Sequence, residues 1–195
     1  MSFNVVRFDE VIPQCWKNGG GVTRELFAWP NVNDWAIRLS VADIECDVPF
    51  SAYPTIDRWF AVLTGNGVRL GTPEKLIRRG DDAVSFDGVL TPDCTLIDGP
   101  TRDLNLMIRR GVASGWMKRI VAGFEFPVVG TLTSMSGVFA VDGCTLRFSK
   151  TQAMEVAPMS LVWCDSSNES TRLGAIECAA PALVFGIQCV VNSWP

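Results

Sequence analysis

The chain of 195 residues contains no histidine. A Ser-His-Asp triad and a Cys-His dyad are therefore excluded, because each needs imidazole as its base. The usual zinc and non-haem iron centres are excluded as well, since they rest on imidazole or on clustered cysteines. The cysteines stand at 15, 46, 94, 144, 164, 178 and 189. Their number is odd, their spacing is wide and none forms a Cys-x-x-Cys pair, so reduced thiols in apolar strands are expected rather than a disulfide framework. Charge is scarce too. Charged residues make up 19% of the chain, against roughly a quarter in typical domains. The formal net charge is −4, and basic residues never run longer than a pair such as Arg78-Arg79 or Arg109-Arg110. Nucleic-acid binding through a basic face is not expected. No apolar run approaches the ~18 residues of a membrane span. The opening segment, Met1 to Asp9, lacks the basic and apolar regions of a signal peptide, and a cytoplasmic protein is the expectation. No acidic loop has calcium- or magnesium-ligand spacing, and Asp81-Asp82 reads as a solvated turn. The run Gly65-Asn66-Gly67-Val68-Arg69-Leu70-Gly71 imitates a dinucleotide-binding glycine box, but it is one residue too long and follows a strand pattern instead of opening a helix. No metal and no cofactor is expected.

What the chain does have is a hydrophobic content of 48%, enough for a sizeable core, and many short strand-like runs. Trp35-Ala36-Ile37-Arg38-Leu39-Ser40-Val41-Ala42 alternates strictly, with Trp, Ile, Leu and Val on one face and Ala, Arg, Ser and Ala on the other. Trp59 to Leu63 is followed by a turn at Asn66-Gly67 and by Val68-Arg69-Leu70. Phe139-Ala140-Val141 is followed by Asp142-Gly143 and Cys144 to Phe148. Asx-Gly between apolar runs signals a β-hairpin. Helical periodicity is scarce, so the pattern predicts an all-β sandwich or barrel. The two Asx-Gly turns lie 76 positions apart, which predicts two related β units, residues 1–112 and 113–195.

The unusual polar chemistry is concentrated in Trp16-Lys17-Asn18-Gly19-Gly20-Gly21-Val22-Thr23-Arg24-Glu25. Three successive glycines let backbone approach a ligand closely, beside an Asn that bonds in both directions and a charged Lys. The alternative is a surface turn with a polar flank. Arg38 shares its face with Ser40: turned inward it would clamp a carboxylate bidentately, and turned outward it would be an ordinary surface charge.

Four ordered segments carry a resemblance. They are the Trp16–Glu25 run, the Trp35–Ala42 run, Pro49-Phe50-Ser51-Ala52-Tyr53-Pro54-Thr55-Ile56-Asp57-Arg58, and Asp98-Gly99-Pro100-Thr101-Arg102-Asp103-Leu104-Asn105-Leu106-Met107-Ile108-Arg109. Together they resemble the HutD/Ves family across residues 13 to 110; the second half fits only in length and β character. Two departures stand out. Cys15 occupies the place where the family has proline before Trp16. Thr55 occupies a place where a glycine is expected, and Thr resists positive φ.

The resemblance implies a double cupin-like fold: two RmlC-like jelly-roll β-barrels in one chain, a bicupin. It also implies a context, bacterial histidine utilisation, with a regulatory or sensing role toward an intermediate such as formylglutamate or urocanate and no established enzymatic activity. Cupin-like barrels usually hold a metal with histidines, which this chain does not have. On this reading the ligand site comprises Trp16, Lys17, Asn18, Gly20, Arg38, Asp57, Arg58 and Asn105. Arg38 and Arg58 would take carboxylates, Asp57 would orient Arg58, Asn18 and Asn105 would bond an amide, Trp16 would wall the pocket and Glu25 would buttress the glycine loop. The expected partner is a small-molecule carboxylate, and exposed edge strands also allow a homodimer. A metal-free isomerase or lyase, and a protein-interaction module, are the alternatives.

Overall fold

The computed structural model describes residues 3–121, 123–125, 134–147, 151–165, 175–177 and 182–189. These form nineteen strands and one short 3-10 turn, Phe8–Glu10. In chain order the strands are β1 (Asn4–Arg7), β2 (Gln14–Cys15), β3 (Gly21–Trp29), β4 (Ile37–Ile44), β5 (Val48–Pro49), β6 (Ile56–Thr64), β7 (Val68–Leu70), β8 (Lys75–Ile77), β9 (Val84–Asp87) and β10 (Asp93–Leu96). They continue with β11 (Thr101–Arg109), β12 (Ala113–Ile120), β13 (Phe124–Glu125), β14 (Ser134–Ala140), β15 (Cys144–Arg147), β16 (Ala153–Val156), β17 (Ser160–Asp165), β18 (Ala175–Glu177) and β19 (Ala182–Cys189).

The chain divides into two compact units. The first is Val11–Arg110; the second is Gly111–Pro195 together with Met1–Glu10. The first ten residues thus leave the stretch 1–112 marked by the sequence repeat, because β1 pairs antiparallel with β17, setting Asn4 opposite Trp163 and Arg7 opposite Ser160.

Each unit is a jelly roll of eight strands in two sheets. In the first, the large sheet contains β4-β11-β6-β9 and the small sheet β5-β10-β7-β8. In the second, the large sheet contains β12-β19-β14-β17 and the small sheet β13-β18-β15-β16. The order is the same with every label advanced by eight. The large sheets differ only at their edges, where the first unit adds β2 and β3 beside β4, and the second adds β1 beside β17. The all-β, double cupin-like jelly-roll expectation therefore holds.

The repeat gives the two Asx-Gly turns a different job from the expected one. Neither closes a hairpin. β6 belongs to the large sheet and β7 to the small one, and β14 and β15 are divided in the same way. Each turn is a corner at which the chain changes sheets. Gly67 shows why the corner is tight: its φ is +104°, and a Cβ there would lie 2.2 Å from the Ile77 carbonyl oxygen.

Alternation then divides the large sheet of the first unit into two faces. Ile37, Leu39, Val41, Leu104, Leu106 and Ile108 lie on one face and are all buried. The other face reads as three rungs across β4, β11 and β6: Arg38-Met107-Arg58, Ser40-Asn105-Phe60 and Ala42-Asp103-Val62. Successive rungs are about 7 Å apart along the strands. A register shift between Glu25 and Phe27 keeps Glu25 opposite Ser40 on this face. Beyond the rungs lies the apolar core, with Ile44, Phe60, Val62, Val68, Leu70, Ile77 and Cys94 buried together.

Candidate functional site

From the three rungs, Arg38, Ser40, Ala42, Arg58, Asp103, Asn105 and Met107 form the floor of a cavity of about 520 Å³ in the first unit. Its rim comes from Gln14 to Asn18, and one side wall from Pro49, Phe50, Ser51 and Tyr53. The glycine run shapes the rim. Trp16 donates its indole N–H to Thr23 Oγ1 at 2.7 Å, fixing the ring over the start of β3. The Gly20 amide donates to Asn18 Oδ1 at 3.1 Å. Lys17 and Asn18 are exposed at the mouth, whereas Gly20 is buried behind them.

The two arginines differ in how they are held. Arg38 donates from Nε to Glu25 Oε2 at 2.6 Å, with both side chains largely buried. Its charge is therefore matched inside the protein, and Glu25 serves Arg38 rather than the glycine loop. Arg58 has no such partner. Its guanidinium carbon lies 5.0 Å from the Phe50 ring centre, 5.0 Å from Phe86 and 5.7 Å from Tyr53. These contacts are cation–π in type. One Nη1 donates to the Ser51 carbonyl at 3.3 Å, while Nε is buried without a partner. Burial pulls this guanidinium down to about 10, with Asp103 acting in the opposite sense, and it stays charged through the neutral range.

Asp103 is the residue that sequence reasoning left out of the site. It is 2% exposed, lines the cavity, and its Oδ1 has no hydrogen-bond partner. Burial raises its carboxyl to about 8; the Arg58 charge opposes that rise and Asp43 adds to it. Asn105 Oδ1, one rung away, is likewise buried and unpartnered. The signal was available in the sequence: Asp103, Asn105 and Met107 alternate with Leu104, Leu106 and Ile108, which places one acid and one amide on the face shared with Arg38.

Of the residues singled out by sequence, Trp16, Lys17, Asn18, Arg38, Arg58 and Asn105 line the cavity, and Gly20 lies just behind its rim. Asp57 does not line it. As the strand neighbour of Arg58 it projects from the other face, where it accepts a hydrogen bond from Arg110 Nη1 at 2.8 Å. Arg58 is oriented by its aromatic cage and Ser51 instead.

The donors do not fit the metal centre usual in cupin-like barrels. Asp103 is the one carboxylate that lines the cavity, and it stands alone beside apolar Ala42 and Val62; Glu25, behind the lining, is engaged by Arg38. Among the described residues no three His, Cys, Asp or Glu side chains come together as a metal site would require. Nor is any helix among them long and apolar enough to cross a membrane.

The chain is 38% identical over 97 residues to an uncharacterised 21.2 kDa protein of the hutC 3′ region of Pseudomonas putida, covering 47% of this chain and 50% of that protein. It is 33% identical over 99 residues to protein Ves of Cronobacter sakazakii, covering 49% and 54%. The chain thus spans about half the length of these curated relatives. The solved structure of HutD from Pseudomonas fluorescens SBW25 (formate condition) shares the fold, with a TM-score of 0.79 at 21% identity, covering 97% of this chain and all of that one. The HutD family model matches residues 9–180, and the chain belongs to the HutD family.

Proposed function

We propose that this protein is a small-molecule-binding protein of bacterial histidine utilisation that senses a carboxylate intermediate of the pathway, such as formylglutamate or urocanate. The observation that carries this reading is a polar cavity of about 520 Å³ whose buried Arg58 Nε and Asn105 Oδ1 have no protein partner. The volume lies within the range of small-molecule sites. Each unpartnered buried polar atom costs about 1–3 kcal/mol, and a ligand bearing both a carboxylate and an N–H group would satisfy both atoms. Formylglutamate carries two carboxylates and an amide; urocanate carries one carboxylate and an imidazole. The name of the Pseudomonas putida relative, which places it beside hutC, supports the histidine-utilisation context.

A thermal-shift panel of histidine, urocanate, formiminoglutamate, formylglutamate, glutamate and formate tests the proposal. A ligand at a hundred times its dissociation constant adds roughly 2.7 kcal/mol to stability. A selective rise with one intermediate is the expected result. No shift with any of them would reject the sensor reading. A metal-free proton-transfer enzyme is the second reading, and one observation favours it: a buried carboxyl in the cavity raised to about 8, the kind of group that general acid–base catalysis employs. Turnover of an intermediate by the pure protein, followed by NMR, would decide for it.

A further inference from the structure

We propose that Asp103 binds the ligand as a neutral carboxylic acid, donating its proton to the same ligand carboxylate that Arg58 holds, and that it thereby selects anions over cations. The proposal rests on the carboxylate-binding reading of the cavity and deepens it.

Asp103 and Arg58 face one cavity and are the buried charged side chains among the described residues. They are the natural counterions of one another, yet no ion pair joins them: Arg58 Nε and Asp103 Oδ1 are both unpartnered. The strands set them apart. Asp103 sits on the rung with Ala42 and Val62, and Arg58 two rungs away beside Met107. Both line the cavity, as does Asn105 on the rung between them.

An ionised Asp103 would be a buried anion with apolar cross-strand neighbours and no donor on Oδ1. Such a group takes up a proton rather than bear the desolvation cost. The groups around it bear this out. From β6 comes Arg58, which favours the anion; from β4 comes the Asp43 charge, which opposes it. Arg38 on β4 is matched by Glu25 on β3. From β10 comes the Cys94 thiol, which burial pushes up to about 12, helped by Asp103 and Asp47, so it stays neutral. Lys17 and Tyr53 lie at the rim and side wall. Burial thus outweighs Arg58, and the acid form prevails at neutral pH. A protonated carboxyl has a donor to offer, and the cavity around it is cationic through Arg58 and Lys17. A ligand carboxylate bridging Arg58 and the Asp103 hydroxyl completes both. A ligand cation in that place would lie beside Arg58 and would first have to displace the Asp103 proton.

Calorimetric titration of the full chain with formylglutamate, and with glutarate as a plain dicarboxylate, tests this between pH 6 and 9.5 in buffers of differing ionisation enthalpy. The expected affinity is flat below about pH 7 and falls toward tenfold per pH unit above about 8, with proton uptake on binding at the alkaline end. Asp103→Ala weakens binding about tenfold or more at pH 7. Asp103→Asn, which keeps a neutral donor in the same place, recovers most of that loss and removes the alkaline fall. Affinity rising with pH, proton release on binding, or an Asn variant as weak as the Ala variant would overturn the proposal while leaving carboxylate binding intact. A ¹³C NMR titration of Asp103 in the free protein needs no ligand: a carboxyl already ionised at pH 7 would overturn the inference by itself. Failure of every carboxylate to bind at any pH would overturn the reading beneath it and the inference with it.

Discussion

The two jelly rolls share one strand order and have opposite interiors. Because their large sheets pair in the same way, positions correspond rung by rung. The first unit's Arg38-Met107-Arg58 corresponds to Ser114-Gln188-Ser134 in the second. Ser40-Asn105-Phe60 corresponds to Trp116-Gly186-Ser136, and Ala42-Asp103-Val62 to Lys118-Val184-Val138. Where the first unit has an amide facing open space, the second has a glycine with a tryptophan beside it. A Cβ on Gly186 would lie 2.8 Å from three atoms of the Trp116 indole, so the ring occupies the volume that the Asn105 rung leaves free. Trp116 also meets Phe124 edge-on at 5.9 Å. Around it, Val138, Ala140, Leu146, Val162, Ala182 and Val184 form an apolar cluster. Both units keep apolar residues deep in the roll, with Ile44 and Ile120 at matching positions and both buried. The lesson is that one scaffold serves two ends: a few inward positions decide whether a roll is filled or left open and polar.

Exchanging corresponding residues breaks this contrast most directly. The largest effect is expected for Asp103→Val, which installs the residue found at the matching position, Val184. An acid raised in the fold from 3.8 to about 8 means that the folded state holds the extra proton between those values. Wild-type stability therefore falls as pH rises from about 4 to about 8 and is flat beyond, a loss on the order of a few kcal/mol. Asp103→Val lacks that slope and is the more stable protein at pH 8. Urea unfolding at a series of pH values measures it, and parallel curves for the two proteins would count against a buried, protonated Asp103. The reverse exchange, Gly186→Asn, puts a Cβ against a rigid indole and costs about 1–3 kcal/mol, read as a lowered melting temperature. An unchanged melting point would mean that Trp116 does not fill the second roll. A smaller effect concerns the thiols. Cys15 is exposed at the cavity rim, whereas Cys144 and Cys164 are buried in the second unit's cluster. Alkylation is expected to reach Cys15 well before those two, and a bound carboxylate to slow it at Cys15 alone. Mass spectrometry of the labelled peptides provides the check.

Much of this organisation is legible in the sequence, and the parts that are not have physical causes. The alternation of Trp35 to Ala42 announced β4 and put Arg38 and Ser40 on one face. It did not say that the face points inward, because a sheet with one polar face usually turns that face to water; here the polar face lines a cavity. The Asn66-Gly67 and Asp142-Gly143 turns announced sharp corners and an internal repeat. They did not distinguish a hairpin from a change of sheet, since Asx-Gly offers a left-handed glycine to either; Gly67 and Gly143 have positive φ, while Asn66 and Asp142 lack the positive φ that a type I′ hairpin requires. Asp57 was misplaced for a related reason: next to Arg58 in sequence, it lies on the opposite face of the strand. Thr55 stands where the family pattern has glycine, and a changed turn was expected there because a β-branched side chain resists positive φ; Thr55 nevertheless adopts a φ of 66°. Asp103 was passed over although it shares the alternation that puts Asn105 on the face of Arg38, because alternation alone does not say whether that face lines a cavity or meets solvent.

The proposed function requires one carboxylate site per chain, in the first unit, anchored by Arg58. Isothermal titration calorimetry of formylglutamate against the wild-type protein and Arg58→Ser, which installs the counterpart residue found at Ser134, tests it most directly. The expected result is a stoichiometry of one ligand per chain and an affinity about 10- to 100-fold weaker in the folded variant. Two sites per chain, or an affinity untouched by the loss of Arg58, would contradict it.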